Sequence, residues 1–439
     1  MGHALFATLQ DISTRYHRMK GDCTLWLPGS DHAGLATQSK LDALMVEQGL
    51  DPSGPEFDTF AENYKQNLQG TIMTQLRSCG ASCDWSRETF TLDDRYSRAV
   101  QAAWNKCLES DLVYYEGDEI FINMEPLAKD LLACMNAGKL NIIPFHQTAT
   151  LRNFLENIEP WNVGRKIRWG HKIPGHDMVF DTWFSSALWP FASLGWPDET
   201  PDFKRFFPAA MIETADDILF FWCARMLMMG LLLELDDLPF NTIFLHGIIR
   251  DKHGRKMAKS QGNGIDPLEI IDRYGADSMR FALAESATPG QDMRIWDDKF
   301  QAGKALRTKL WNAARYCLGH WERLGSPEIT FHGLKHADDI EMLKRLWTAH
   351  SALTKALDEL RYHEAAFLIR QFIFNDLCGW YIEATKSRLY DDNDMAALCT
   401  IMFALDRTLK MLHPFMPFVT ERIRMAYSQE PLITAEWNY

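Results

Sequence analysis

Twice along the chain a short apolar run ends directly in a polar segment bracketed by glycine. Cys23–Leu27 reads as a buried strand and runs into Pro28-Gly29-Ser30-Asp31-His32-Ala33-Gly34. Thr242–Leu245 reads as a second strand and runs into His246-Gly247. Open α/β sheets place ligand sites on such turns at strand ends. The second turn is followed by a polar stretch, Arg250–Asn263, and then by a helix start at Asp266-Pro267, with proline in the first turn after an aspartate cap. Upstream, Leu5, Leu9, Ile12 and Tyr16 recur at helical spacing across residues 4–20. Residues 57–110 read as helical with one loop around Gly80–Ser86, and Gly138, Pro144, Pro160 and Pro174 break 111–180 into short elements. From about Phe300 the pattern is helical, with turn signals at Gly325-Ser326-Pro327 and Asp391–Asp394. The expectation is an α/β part, 1–300, with a mixed insertion at about 111–180, followed by an all-helical part, 301–439, without repeats.

A chain of 439 residues is too long for one ordinary core and leaves room for two to four domains. Its 46% hydrophobic and 24% charged residues exclude extended disorder. A net charge of −13 argues against a protein that coats nucleic acid indiscriminately. The charge is uneven: residues 301–439 balance 17 basic against 17 acidic side chains, so the acidic excess lies in the first 300. A neutral helical part can carry a local basic face. Nine cysteines, an odd number without a Cys-x-x-Cys pair, read as reduced thiols in a cytoplasmic protein with no zinc site. No basic and then apolar leader opens the chain. The most apolar stretch, Ile218–Leu235, carries Arg225 and reads as a buried helix, with no membrane span expected.

Three segments carry candidate chemistry. In Gly254-Arg255-Lys256-Met257-Ala258-Lys259-Ser260-Gln261-Gly262-Asn263, two lysines three apart sit in a glycine-flanked loop, an arrangement suited to a polyphosphate. A bare Lys-x-x-Lys equally suits a solvated surface loop. Met1-Gly2-His3-Ala4-Leu5 places small backbone and an imidazole at the positive end of a helix, a place for phosphate. Asp181-Thr182-Trp183-Phe184-Ser185-Ser186 and Asp217-Ile218-Leu219-Phe220-Phe221-Trp222 each set a tryptophan near an aspartate. Ile218 and Trp222, four apart, share a helical face. Such walls fit a small aliphatic side chain, and fit plain core packing as well.

Taken together these segments resemble the class I aminoacyl-tRNA synthetases, and within them the valyl branch. Lys256-Met257-Ala258-Lys259-Ser260 resembles the KMSKS loop and Met1-Gly2-His3-Ala4 the tail of the HIGH motif. Leu27–Gln38, Cys79–Phe90 and Asp181–Pro190 resemble the valyl branch over the isoleucyl and leucyl ones. The resemblance implies a Rossmann-like catalytic domain followed by a helical anticodon-binding bundle, to which Trp311–Arg315 and Trp380–Glu383 are similar. It implies ATP-dependent activation of valine and transfer of the valyl group to tRNA by a monomer, with ATP bound as its Mg²⁺ complex. By resemblance, Gly2 and His3 meet the ATP phosphates, and Lys256, Lys259 and Ser260 hold the pyrophosphate. Asp217 reaches the adenylate ribose. Asp31 pairs with the α-amino group, and Trp183, Ile218 and Trp222 wall the side-chain pocket.

Four departures from the family pattern bear on that expectation. The chain starts inside the HIGH motif, without the strand and first histidine that precede it in the family. The editing domain is absent: the chain passes from Tyr114-Tyr115 through Glu116–Glu119 to a return stretch at Met124–Ala128 and Phe154–Ile158. Motif residues differ at Ala258, at Thr214-Ala215-Asp216-Asp217 and at Trp161–Lys166. The C-terminal coiled coil is also absent. Three readings follow: an editing-free valine–tRNA ligase, a non-catalytic tRNA-binding paralogue, or a truncated gene product. The first is the principal expectation, because both lysines, Asp31, Trp183, Ile218 and Trp222 are kept.

Overall fold

The computed structural model describes residues 1–235, 237–257, 262–330 and 335–438, with backbone alone at 66–69 and 71. Contacts divide the chain into two compact units. One comprises Leu25–Thr74 and Cys83–His246, the other Met1–Thr24, Gln75–Ser82 and Gly247–Tyr439.

The first unit is α/β. Its central sheet has three parallel strands in the order Asn141–Ile143, Thr242–His246, Ile212–Ala215. The middle strand pairs Ile243 with Ile142 on one side and with Ile212 on the other. Ile243, Phe244 and Leu245 are each 0% exposed. A strand covered on both faces reads as an unbroken apolar run, which is why this one is legible in the sequence. Its last residue is His246, so the polar turn follows the sheet directly.

The expected strand at Cys23–Leu27 is not there. Pairing is confined to Gly29–Ser30, which runs parallel to Thr89–Phe90. Cys23 is exposed and 24–27 are half-buried. The carbonyls of Trp26 and Pro28 accept from the N–H groups of Asp84 and Thr89 at 2.9 and 3.1 Å. Pro28 has no N–H to return, so the ladder stops at its own start.

At the site of the shortened insertion the chain makes a regular hairpin. Val113–Glu116 pairs antiparallel with Glu119–Ile122, Glu116 opposite Glu119, and Trp161–Asn162 adds to the second strand. The turn is Gly117-Asp118, with Gly117 at φ +59°. Two-residue hairpins need a left-handed first turn residue, and glycine adopts that without strain. Ile218–Leu235, expected as one helix, begins as a wide π turn, Leu219–Ala224, and continues as the α-helix Arg225–Leu232.

The second unit is helical. In Gly2–Met19 the side chains of Leu5, Leu9, Ile12 and Tyr16 are all 1% exposed or less. Asp266 caps Pro267–Tyr274 by accepting from the Leu268 N–H at 2.9 Å. The helices Asp297–Arg323, Ala337–Asp358, Tyr362–Gln371, Met395–Leu412 and Pro417–Arg424 follow. The two turns expected in this part hold left-handed residues, Gly325 at φ +85° and Asn393 at φ +50°. All nine cysteines are free thiols. Among the described residues no helix is long and apolar enough to cross a membrane.

Candidate active site

In the α/β unit, the glycine-bracketed turn after Gly29–Ser30 is built by close approach. A Cβ on Gly29 would lie 1.9 Å from Cη2 of Trp189 and 2.8 Å from the Thr89 carbonyl oxygen. Ala33 is left-handed at φ 54° and caps the helix Gly34–Glu47. A Cβ on Gly34 would meet Cβ of Thr182 at 3.3 Å. Replacing Gly29 by alanine is therefore expected to destabilise the protein by about 1–3 kcal/mol, because the backbone of Thr89 cannot yield as a side chain could. Thermal unfolding followed by circular dichroism reads this directly, and an unchanged midpoint would refute the close approach.

The turn presents Asp31. Its Oδ1 accepts from Thr182 Oγ1 at 2.7 Å and from the Ala33 N–H at 2.8 Å, and its Oδ2 accepts from Ser186 Oγ at 2.6 Å. Thr182 and Ser186 are the two ends of the short helix Thr182–Ser186, which Asp181 caps. One helical turn apart, they aim both hydroxyls at one carboxylate. Among the described residues the one ion-pair neighbour of Asp31 is His32, whose Nδ1 lies 3.5 Å from Oδ1. That imidazole is 1% exposed, and burial pushes its pKa below the usual histidine value despite the charges of Asp31 and Asp181. Its Nδ1 shares a 2.7 Å hydrogen bond with Thr91 Oγ1. His171, edge-on to His32, is pushed down to about 4, first by burial and then by its neighbour. Its Nε2–H donates to the Thr91 carbonyl at 2.5 Å. Both rings are neutral at physiological pH, so neither cancels the charge of Asp31. The result is a carboxylate oriented by neutral donors and half-open to solvent, with 39% of its side chain exposed. It is suited to a ligand cation of ammonium size.

Around it, the Trp183 ring stacks on Phe221 at 6.1 Å between centroids, and Trp222 donates its indole N–H to the Ser186 carbonyl at 3.2 Å. Ile218 is half-buried and leads into the π turn. Asp217 is exposed in the short 3₁₀ turn after the strand Ile212–Ala215. Across the two neighbouring strands, His246 Nδ1 at the end of one hydrogen-bonds the buried carboxylate of Glu213 within the other.

The helical unit holds the phosphate candidates. Gly2 begins the first helix and His3, exposed, packs edge-on against Phe6 at 5.6 Å. The N-terminal amine donates to the Ile265 carbonyl at 3.3 Å. In the lysine loop, the backbone of Lys256 pairs antiparallel with that of Arg250, and Asn263 Nδ2 donates to the Lys256 carbonyl at 3.1 Å. Asp251 organises the loop base: it accepts from the N–H groups of His253 and Arg255, from the Arg255 guanidinium and from Asn263. Burial alone would raise its pKa, but these donors hold it well below the carboxylate range. Lys259 and Ser260 lie outside the described residues.

The structure thus brings Asp31, Trp183 and Trp222 together on one short helix and its neighbours, and places His3 and Lys256 in the other unit. Thr182, Ser186, His32, Glu213 and Asp251 were missed from sequence. Only the four-residue spacing of Thr182 and Ser186 could have flagged a pair.

Comparison with known proteins follows the same division. The family profile described as tRNA synthetases class I (I, L, M and V) matches residues 1–120, 115–178 and 175–296, and that described as anticodon-binding domain of tRNA ligase matches 339–438. The first restart falls at the Gly117-Asp118 hairpin. The Valine--tRNA ligase of Fervidobacterium nodosum is 29% identical over 656 residues, covering 100% of this chain and 75% of its own length. That of Carboxydothermus hydrogenoformans is 30% identical, with 100% and 75% covered. The aligned span of 656 exceeds the 439 residues here, so that relative carries internal segments this chain lacks. Among solved structures, the Mycobacterium tuberculosis methionyl-tRNA synthetase in complex with methionyl-adenylate superposes with a TM-score of 0.80 at 19% identity, covering 96% of this chain and 89% of that one. The ternary LeuRS-tRNA-LeuAMS complex of Agrobacterium radiobacter gives 0.81 at 13% identity, with 100% and 84% covered. At such identities the likeness is one of fold.

Proposed function

The chain belongs to the class I tRNA synthetases of the I, L, M and V group, and from that premise we propose that it activates valine with ATP and transfers the valyl group to tRNA. The observation that carries this reading is Asp31: a carboxylate held by Thr182, Ser186 and the Ala33 N–H, with its charge left for a ligand ammonium. The turn that holds it resembles that of the valyl branch, and the relatives named Valine--tRNA ligase align over the whole chain.

In the first step an oxygen of the valine carboxylate attacks the α-phosphorus of ATP, and pyrophosphate leaves. In the second a terminal ribose hydroxyl of tRNA attacks the carbonyl of valyl-adenylate, and AMP leaves. No bond to the protein forms, so catalysis is positioning and charge stabilisation. Asp31 fixes the ammonium group. Trp183, Ile218 and Trp222 surround the side chain, and Asp217 takes the ribose. Gly2 and His3 meet the phosphates of the ATP–Mg²⁺ substrate. Lys256 and Lys259 follow the charge that gathers on the leaving pyrophosphate, with Ser260 beside them. The helical region matching the anticodon-binding profile binds tRNA. In this reading the protein acts as a monomer in the cytoplasm.

The hairpin at Gly117-Asp118 closes the place where the family carries its editing insertion, so this reading includes no hydrolysis of mischarged product. Discrimination then rests on the first pocket alone. Rejection of threonine by about 10²-fold in such a pocket is the established value for valyl enzymes, where a hydroxyl replaces an isosteric methyl. Amino-acid-dependent ATP–pyrophosphate exchange with purified chain tests the proposal. Valine is expected to support exchange, with threonine lower in kcat/KM by about that factor. Absence of exchange with valine, threonine and isoleucine alike would leave a non-catalytic tRNA-binding protein.

A further inference from the structure

We propose that Thr91, buried out of any ligand's reach, is the positioning residue that sets the direction of Asp31 and with it the affinity for the substrate ammonium group. The second half of this statement rests on the reading of Asp31 given above. Thr91 is 2% exposed and directly follows the strand Thr89–Phe90. Its polar groups are all engaged by the turn or by what backs it. The Thr91 N–H donates to the Ser30 carbonyl at 3.2 Å, and Oγ1 accepts from the His32 N–H at 3.0 Å. Oγ1 also shares a 2.7 Å hydrogen bond with His32 Nδ1, and the Thr91 carbonyl accepts from His171 Nε2–H at 2.5 Å. Both chain neighbours of Asp31 are thus held by one residue, which stands 59 positions from His32.

Successive side chains on extended backbone point to opposite sides. Ser30 Oγ and the His32 ring are buried, while Asp31 between them turns outward to the hydroxyls of Thr182 and Ser186. Releasing His32 would let the backbone rotate at Asp31 and swing the carboxylate off those hydroxyls. The His32 ring is suited to this anchoring and poorly suited to packing alone. Its Nε2 has no hydrogen-bond partner among the described residues, a cost that an apolar ring of similar size would avoid. A hydroxyl at position 91 serves the N–H and the ring together without bringing a charge. A carboxylate in its place would compete with Asp31 for a ligand cation, and an ammonium would cancel it. Lys65, whose charge reaches His171, is held toward Asp93 at 3.9 Å and Glu62 at 4.0 Å. The turn is therefore fixed by neutral groups, and the charge of Asp31 is left whole.

The test uses the full chain with Thr91→Val, which keeps the shape and removes the hydroxyl, and Thr91→Ser, which keeps the hydroxyl. Valine-dependent ATP–pyrophosphate exchange, thermal unfolding and crystal structures are read side by side. Thr91→Val is expected to raise the KM for valine by about tenfold, with kcat and the KM for ATP near their wild-type values. Thr91→Ser is expected to restore the KM for valine. In the crystal structure of Thr91→Val, Asp31 is expected to lose at least one of its bonds to Thr182 and Ser186. A lowered melting midpoint with an unchanged KM for valine would show that Thr91 only supports the fold, and would overturn the proposal. So would an equal rise in the KM for ATP, or a serine variant no better than the valine one. Should Thr91→Val not fold, Thr91→Ala decides by the same readings. Absence of exchange in the wild type would defeat the activation reading and with it the effect on affinity. The crystal structures then decide the positioning alone, and an Asp31 still bonded to both hydroxyls in the variant would overturn it.

Discussion

Replacing Asp31 by asparagine is expected to raise the KM for valine in ATP–pyrophosphate exchange by about 10²-fold, with kcat changed far less. In the proposed reading the carboxylate would meet the α-amino group in ground state and transition state alike, so their interaction would be uniform binding and its loss would fall on KM. A hydrogen bond to a charged partner contributes about 1.5–3 kcal/mol, which sets the scale. The amide also reverses one end of the group. Its NH₂ would face a hydroxyl, Thr182 Oγ1 or Ser186 Oγ, that now donates to an oxygen. The KM for ATP serves as control and is expected to stay near its wild-type value. An unchanged KM for valine would remove Asp31 from the site.

Replacing Arg280 by methionine is expected to cost about 3–5 kcal/mol of stability, the scale for breaking a buried ion pair on one side. Arg280 and Asp11 are each 0% exposed. Arg280 Nη2 donates to Asp11 Oδ2 at 2.6 Å and to the Pro414 carbonyl at 2.8 Å, and its other nitrogens reach the carbonyls of Phe415 and Cys79. Asp11 also accepts from Arg15 Nε and from the N–H and hydroxyl of Ser82. The cluster joins all three chain segments of the helical unit, so its loss leaves Asp11 to Arg15 alone and takes a donor from three carbonyls. Urea unfolding of the two proteins reads the difference. Burial raises the Asp11 pKa, but Arg280, Arg15 and Ser82 outweigh it and hold it below its ordinary value. A depressed carboxylate contributes above its unfolded pKa and loses the contribution as pH falls through the folded one. The margin of the wild type over R280M is therefore expected to narrow below about pH 4. A margin that is absent at neutral pH would show that the pair is not what joins the segments.

Parts of the fold were legible because their signals are local. Thr242–Leu245 is an unbroken apolar run, Asp266-Pro267 is a cap, and Leu5, Leu9, Ile12 and Tyr16 repeat at helical spacing. The strand expected at Cys23–Leu27 failed for a reason equally local but opposite in sign. Its apolar residues suit a strand, yet Pro28 interrupts the ladder that would have extended it. The π turn at Leu219–Ala224 was not legible, because its residues suit an α-helix just as well.

The sequence by itself determined the class of the parts, α/β with a glycine-bracketed turn after a buried strand and then a run of helices, while the hairpin at Gly117-Asp118 and the discontinuous division into units came from the tertiary structure. Its motifs also marked Asp31, Trp183 and Lys256 as candidates. Tertiary structure alone decided what surrounds them. Ser186 stands 155 residues from the carboxylate it holds, and Arg280 stands 269 residues from Asp11. No periodicity reports such a pair, because each partner taken singly is an ordinary polar residue on a helix or in a turn. Burial decided the rest. It keeps His32 neutral beside Asp31, and burial belongs to the packed molecule and to no residue in the chain.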